Sequence, residues 1–129
     1  MPTNSFRLGV AQITSGDQID INLQTVEKLY AKAAADQAEL VVFPENSLYF
    51  RIRSGEAVQG LAWNGTEMTR LQKLVDATGV HLMLTTALVE GGAKLSNSTL
   101  RFSPGVAAEK LYSKVHLFDV DVEGAPPVR

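Results

Sequence analysis

The segment Leu40-Val41-Val42-Phe43-Pro44-Glu45 is a short, almost continuous apolar run stopped by a proline, and it narrows the folds open to this chain. A run of this length without alternation suits a strand of a parallel sheet buried on both faces. Parallel strands need a crossover, and one stands upstream: Ile19, Leu23, Val26, Tyr30, Ala33 and Ala34 recur at spacings of three and four, the apolar face of an amphipathic helix. Asp20 or Asn22 can cap the start of that helix by accepting backbone N–H bonds. Before it, Phe6 to Ile13 is mostly apolar and short enough for a first strand, and Ser15-Gly16-Asp17 supplies the turn. Strand, helix and strand make a βαβ unit, so the fold class is α/β.

The pattern then changes. Asn46 to Asn64 is a long irregular stretch carrying Tyr49, Phe50, Arg51, Arg53 and Trp63, and loops of that length are commonly functional. A second helix is predicted over Thr66 to Thr78, burying Leu71, Leu74 and Val75, with Gly79 placed to end it in the left-handed region. The strand Val80 to Val89 follows. Gly91-Gly92 marks a hairpin into Leu95 to Phe102, and Ser103-Pro104-Gly105 another into Val106 to Lys114. The sheet is therefore expected to mix parallel and antiparallel neighbours. No heptads, repeats or domain linker occur, and Glu123-Gly124-Ala125-Pro126-Pro127 reads as a loop.

Composition removes several classes of function. With 45% hydrophobic and 20% charged residues, the 129-residue chain is expected to pack a core. A formal charge of −2 without any block of Lys and Arg gives no footprint for nucleic acid or an anionic membrane. No run approaches the ~20 apolar residues of a membrane span, and the start lacks a secretion pattern, so a cytoplasmic protein is expected. The triplets Asn64-Gly65-Thr66 and Asn97-Ser98-Thr99 match the glycosylation pattern, which is read as chance without a secretion signal.

A carboxylate directly after a buried strand sits at the carboxyl edge of the sheet, where open α/β folds bind ligands. Proline stiffens the approach to Glu45; the same residue can equally be a solvated loop residue or a helix cap. Lys114 closes the last predicted strand, where alternation puts it on one face with Tyr112 and Leu111 on the other. It too has a plain reading, as an edge charge that discourages aggregation. His116 has no second His, Cys or paired acid at ligand spacing, and His81 reads as a satisfied core or edge residue. Asp119 and Asp121 alternate with Phe118, Val120 and Val122, which suits an extended edge as well as a metal site. Tyr49, Phe50 and Trp63 can line a pocket or pack the loop. No phosphate loop, nucleophile elbow or zinc signature is present, and neither metal nor cofactor is expected.

Taken together, Val42-Phe43-Pro44-Glu45 and Tyr112-Ser113-Lys114-Val115-His116-Leu117-Phe118-Asp119 closely resemble the first two catalytic motifs of the carbon-nitrogen hydrolase, or nitrilase, superfamily. Leu8-Gly9-Val10-Ala11-Gln12 and Leu95-Ser96-Asn97-Ser98 also look like that family, so the resemblance runs through the whole chain. It implies a four-layer αββα sandwich with mixed sheets, of which residues 1–129 would be the N-terminal portion. It also implies a Glu-Lys-Cys catalytic set in which Glu45 is the general base and Lys114 stabilises the oxyanion. Hydrolysis of non-peptide carbon-nitrogen bonds through a thioester follows from the resemblance, amides before nitriles. A small-molecule amide or nitrile substrate and a homo-oligomer, dimer or higher, are implied for the complete protein.

The chain departs from the family in one respect: it contains no cysteine. The family's nucleophile belongs to a later motif, and a supporting glutamate normally follows the lysine segment. Glu123 lacks the context for that role. The expectation is an incomplete domain, inactive alone and prone to associate through exposed sheet faces and edges. The alternative is a non-catalytic binding or assembly protein that keeps half of the fold; an unrelated doubly wound ligand-binding module is the third reading.

Overall fold

A computed structural model describes residues 4–92 and 94–115. Among them the element order is β1 (Leu8–Val10), α1 (Ile19–Ala35), β2 (Leu40–Val42), α2 (Thr66–Thr78), β3 (His81–Gly91), β4 (Lys94–Phe102) and β5 (Glu109–Ser113). The strands form one sheet in the order β1-β2-β3-β4-β5. β1, β2 and β3 are parallel, with Val41 opposite both Gly9 and Leu82. β3, β4 and β5 are antiparallel, with Thr85 opposite Thr99, Ala87 opposite Asn97 and Ser98 opposite Ser113. The mixed sheet expected from the sequence is thus present, its crossovers on one side and its hairpins on the other.

Local chemistry sets the boundaries. Gly79 ends α2 at φ 76°, its N–H donating to the Val75 carbonyl. A Cβ disfavours that left-handed geometry, so the glycine is a stop signal legible in the sequence. The start of α1 differs from expectation: the cap residue is Gln18, without a side-chain bond to the helix. Asn22 lies one turn inside and is buried, and its amide serves the loops instead. Its Nδ2 donates to the carbonyls of Gly16 (2.8 Å) and Leu48 (2.9 Å), while its Oδ1 accepts the Gly16 N–H (2.9 Å).

Both helices pack on one face of the sheet. Leu23, Val26 and Tyr30 of α1 and Met68, Leu71 and Val75 of α2 form a single core with Val41, Leu82, Leu84, Leu88, Leu100 and Phe102. Two-residue alternation selects these strand residues and sends their neighbours to the opposite face. That face has no covering layer among the described residues. Leu40, Val42, Met83, Thr85, Ala87, Asn97 and Thr99 are only partly shielded, and Leu8 and Val10 are 49% and 76% exposed. Of the strand expected over Glu39 to Phe43, Leu40–Val42 form β2, with Val41 buried under the helices and Leu40 and Val42 partly shielded on the bare face.

β3, 11 residues long, outruns the 3 residues of β2, and the chain leaving β2 uses the surplus. Phe43 N–H donates to the Met83 carbonyl (2.9 Å), Ser47 N–H to Thr85 (3.0 Å) and Leu61 N–H to Ala87 (2.9 Å). The irregular stretch predicted after Glu45 is real, yet it is stitched down at both ends and buries Ser47, Leu48, Tyr49 and Leu61.

Candidate functional site

Glu45 owes its position to that stitching. Phe43 and Ser47 bond to carbonyls only two residues apart on β3, so Pro44-Glu45-Asn46 is extruded from the ladder. Pro44 has no N–H to lose there. Asn46 adopts φ 58°, a left-handed conformation that asparagine tolerates better than most residues. The Ser47 hydroxyl closes the turn by donating to the Pro44 carbonyl. The carboxylate consequently stands beyond the carboxyl end of β2.

Lys114 arrives from the other side of the sheet. It follows the last residue of β5, and its N–H donates to the Asn97 carbonyl at 2.8 Å, extending the β4–β5 ladder. Its Nζ lies 3.4 Å from Glu45 Oε1, which joins two residues 69 apart in sequence. The side chains are 38% and 48% exposed, so the pair lies open on the sheet rather than in a sealed cavity. Exposed ion pairs add little stability, and what matters in this one is geometry.

A third residue completes the cluster. Asn97 Nδ2 donates to the same Oε1 of Glu45 at 2.5 Å. By alternation with buried Ser98 and Leu100, Asn97 lies on the bare face. Sequence reading placed Asn97 in a family-like segment without assigning it to the site. The available signal was local: asparagine is depleted in strand interiors, and one in the middle of β4 calls for an explanation.

The other candidates separate from this cluster. His81 stands at the start of β3, its Nδ1 3.0 Å from Ser103 Oγ. Tyr49 packs the loop, its hydroxyl donating to the Ala57 carbonyl (3.2 Å), and burial with Glu56 and Asp17 nearby pushes its phenol above the usual value. Phe50 is exposed. Trp63 lies under the Lys110 ammonium, 6.0 Å from the ring centroid. His116, Asp119, Asp121 and Glu123 lie outside the described residues. Among the described residues no group of three or more His, Cys, Asp or Glu is placed to hold a metal, and no helix is long and apolar enough to cross a membrane.

A carboxylate, an ammonium and an amide thus meet on one open sheet face, contributed by a post-strand turn and two neighbouring strands. Residues 7–129 match carbon-nitrogen hydrolase. The chain belongs to that family. It is 31% identical to the omega-amidase NIT2 of Xenopus tropicalis over 121 residues, which is 92% of this chain and 43% of the relative. A probable hydrolase, nit2, of Schizosaccharomyces pombe is 29% identical over 126 residues, 93% of this chain and 45% of that protein. The chain thus spans less than half the length of these curated relatives. Among solved structures, the Caenorhabditis elegans NitFhit protein matches with a TM-score of 0.73 at 22% identity, over 94% of this chain and 30% of that one. An amidase of Nesterenkonia AN1 from the nitrilase superfamily matches with a TM-score of 0.70 at 19% identity, over 96% and 48% of the two chains. The carbon-nitrogen hydrolase fold is therefore present in part: the two helices and the mixed sheet are one helical and one β layer of the αββα sandwich.

Proposed function

We propose that this carbon-nitrogen hydrolase chain supplies the base and the oxyanion-stabilising cation of an amidase whose nucleophilic cysteine lies beyond residues 1–129. The observation that carries the reading is the 3.4 Å approach of Lys114 Nζ to Glu45 Oε1, made by the two motifs that resemble the family's. In the complete protein a cysteine thiol gives its proton to the Glu45 carboxylate as its sulfur attacks the amide carbon. Negative charge gathers on the former carbonyl oxygen, and the fixed Lys114 ammonium meets it. Glu45 then returns the proton to the departing amine, the C–N bond breaks and a thioester remains. Water, giving its proton to Glu45, attacks that thioester; the acid is released and the proton returns to the sulfur. Amides are favoured over nitriles, and the omega-amidase relatives make ω-amides of dicarboxylic acids the first to assay. Residues 1–129 alone, lacking a thiol, are inactive on this reading, and the complete protein is a homo-oligomer.

The test uses the full-length gene product, incubated with an amide panel and examined by intact mass. An acyl adduct on a cysteine beyond Arg129, with release of the acid, is expected. A native product that ends at Arg129 and hydrolyses nothing would overturn the amidase reading in favour of a binding or assembly protein.

A further inference from the structure

Glu45 and Lys114 come from distant segments, and one residue touches both. Asn97 Nδ2 donates to Glu45 Oε1 at 2.5 Å, while the Asn97 carbonyl accepts the Lys114 N–H at 2.8 Å. We propose that Asn97 is a positioning residue that clamps the Glu45 carboxylate against the Lys114 ammonium, its side chain fixing the acid and its backbone fixing the strand that carries the base's partner.

Three observations converge on this role. The first is the strand itself. Asn97 faces Ala87 across the β3–β4 ladder, where a small neighbour leaves room for an amide to reach along the sheet surface. A valine or threonine would suit that strand better on propensity alone. The second is the state of the amide's other end. Asn97 Oδ1 is shut off from solvent and finds no donor among the described residues. A buried acceptor without a donor is destabilising, so the fold does not explain the residue. The third is the geometry of Glu45. Its turn is held by Phe43 and Ser47, but both bonds are to backbone and leave the carboxylate free to rotate. Among the described residues Asn97 Nδ2 and Lys114 Nζ both approach Oε1, which leaves Oε2 as the oxygen to take a proton. Orientation of this kind matters because a displacement of about 1 Å in a catalytic group can lower the rate by about 10²-fold. The role rests on the amidase reading, since only a working base needs to be aimed.

The experiment is a double-mutant cycle in the full-length gene product with an amide substrate. Asn97→Ala is expected to lower kcat by about 10–100-fold with KM nearly unchanged and the thermal melt retained. Added to Glu45→Gln, it is expected to produce no further loss, because the group it aims is already gone. Losses that multiply, or normal turnover in Asn97→Ala, would overturn the proposal. Where wild-type protein hydrolyses no amide, the amidase reading fails by itself, and the clamp is read from the Asn97 side-chain amide resonances of 15N-labelled protein. These are expected to move in Glu45→Gln, where a neutral amide replaces the charged acceptor. Resonances indifferent to residue 45 would refute the clamp.

Discussion

The two faces of the sheet are built on opposite terms. On the helical face, strand residues such as Leu82, Leu84, Leu88, Leu100 and Phe102 are at most 1% exposed and meet an equally apolar helix layer. On the other, apolar side chains share the surface with Thr85, Thr99 and Asn97, and Glu45 and Lys114 stand at its edge. The covered face is where this chain holds itself together. The bare face is where a carboxylate, an ammonium and an amide gather, each paired with another as shielding of polar groups requires. A period of two residues separates the tasks, so each strand serves both without conflict.

The sharpest way to break the comparison is to alter one face at a time and ask which property follows. Glu45→Gln in the full-length product is expected to lower turnover by about 10²–10⁴-fold, and Lys114→Ala by about 10²–10³-fold. Both substitutions should leave the melting temperature within a few degrees of wild type, since the pair is exposed. Steady-state kinetics paired with thermal denaturation checks this, and near-normal turnover in either variant would remove that residue from the mechanism. The reciprocal change belongs to the other face: Leu84→Ala, in the core at 0% exposure, is expected to destabilise the fold by about 2–5 kcal/mol. Denaturant titration measures it, and activity in the fraction that remains folded should persist.

A smaller effect is expected on the bare face away from the cluster. Val10 is 76% exposed on edge strand β1, beside exposed Leu8. In residues 1–129, Val10→Lys should shift sedimentation toward monomer while changing stability by no more than about 0.5 kcal/mol. If the wild-type chain is already a monodisperse monomer with a sharp cooperative melt, the bare face is not a source of association, and the comparison loses its physical basis.

How much of this arrangement the sequence disclosed depended on the range of the interaction. Local signals were read well. The three-and-four spacing and Gly79 bounded α2 at Thr66–Thr78, and Gly91-Gly92 marked the β3–β4 turn. Strand ends shifted in both directions: β3 runs on to Gly91 and β4 begins at Lys94, whereas β1 is shorter than its apolar run. Phe6–Ile13 contributed only Leu8–Val10 to β1. Neither Asp20 nor Asn22 caps α1, and the partners of Asn22, Gly16 and Leu48, are set by the fold of two loops, which helix position alone does not disclose. Two segments of the candidate site, those carrying Glu45 and Lys114, stand out in the sequence through family resemblance; Asn97 does not. Asn97 reaches Glu45 across 52 positions, and only strand register brings them together.

The smallest effect is also a parallel between the faces, since a carboxylate on the helical side is held by two donated hydrogen bonds as Glu45 is. On the helical side, Asp76 Oδ1 accepts the Gly105 N–H at 2.9 Å and Gln72 Nε2 at 2.9 Å, tying the β4–β5 turn to α2. The backbone bond from Gly105, then the bond from Gln72, hold the Asp76 carboxyl below its ordinary value. A lowered folded value means that the ionised form binds the turn more strongly than the neutral form. The stabilisation is fully present above the unfolded value of about 3.9 and is lost as pH falls through the lower folded value. The Gly105 amide resonance should therefore hold its position from neutrality down to about pH 4 and move below it. In Asp76→Ala it should already occupy the displaced position at neutral pH, while turnover stays unchanged. A loss of turnover in that variant would mean that the β4–β5 turn transmits to Lys114 at the far end of the hairpin, and the independence of the two faces would fail at that point.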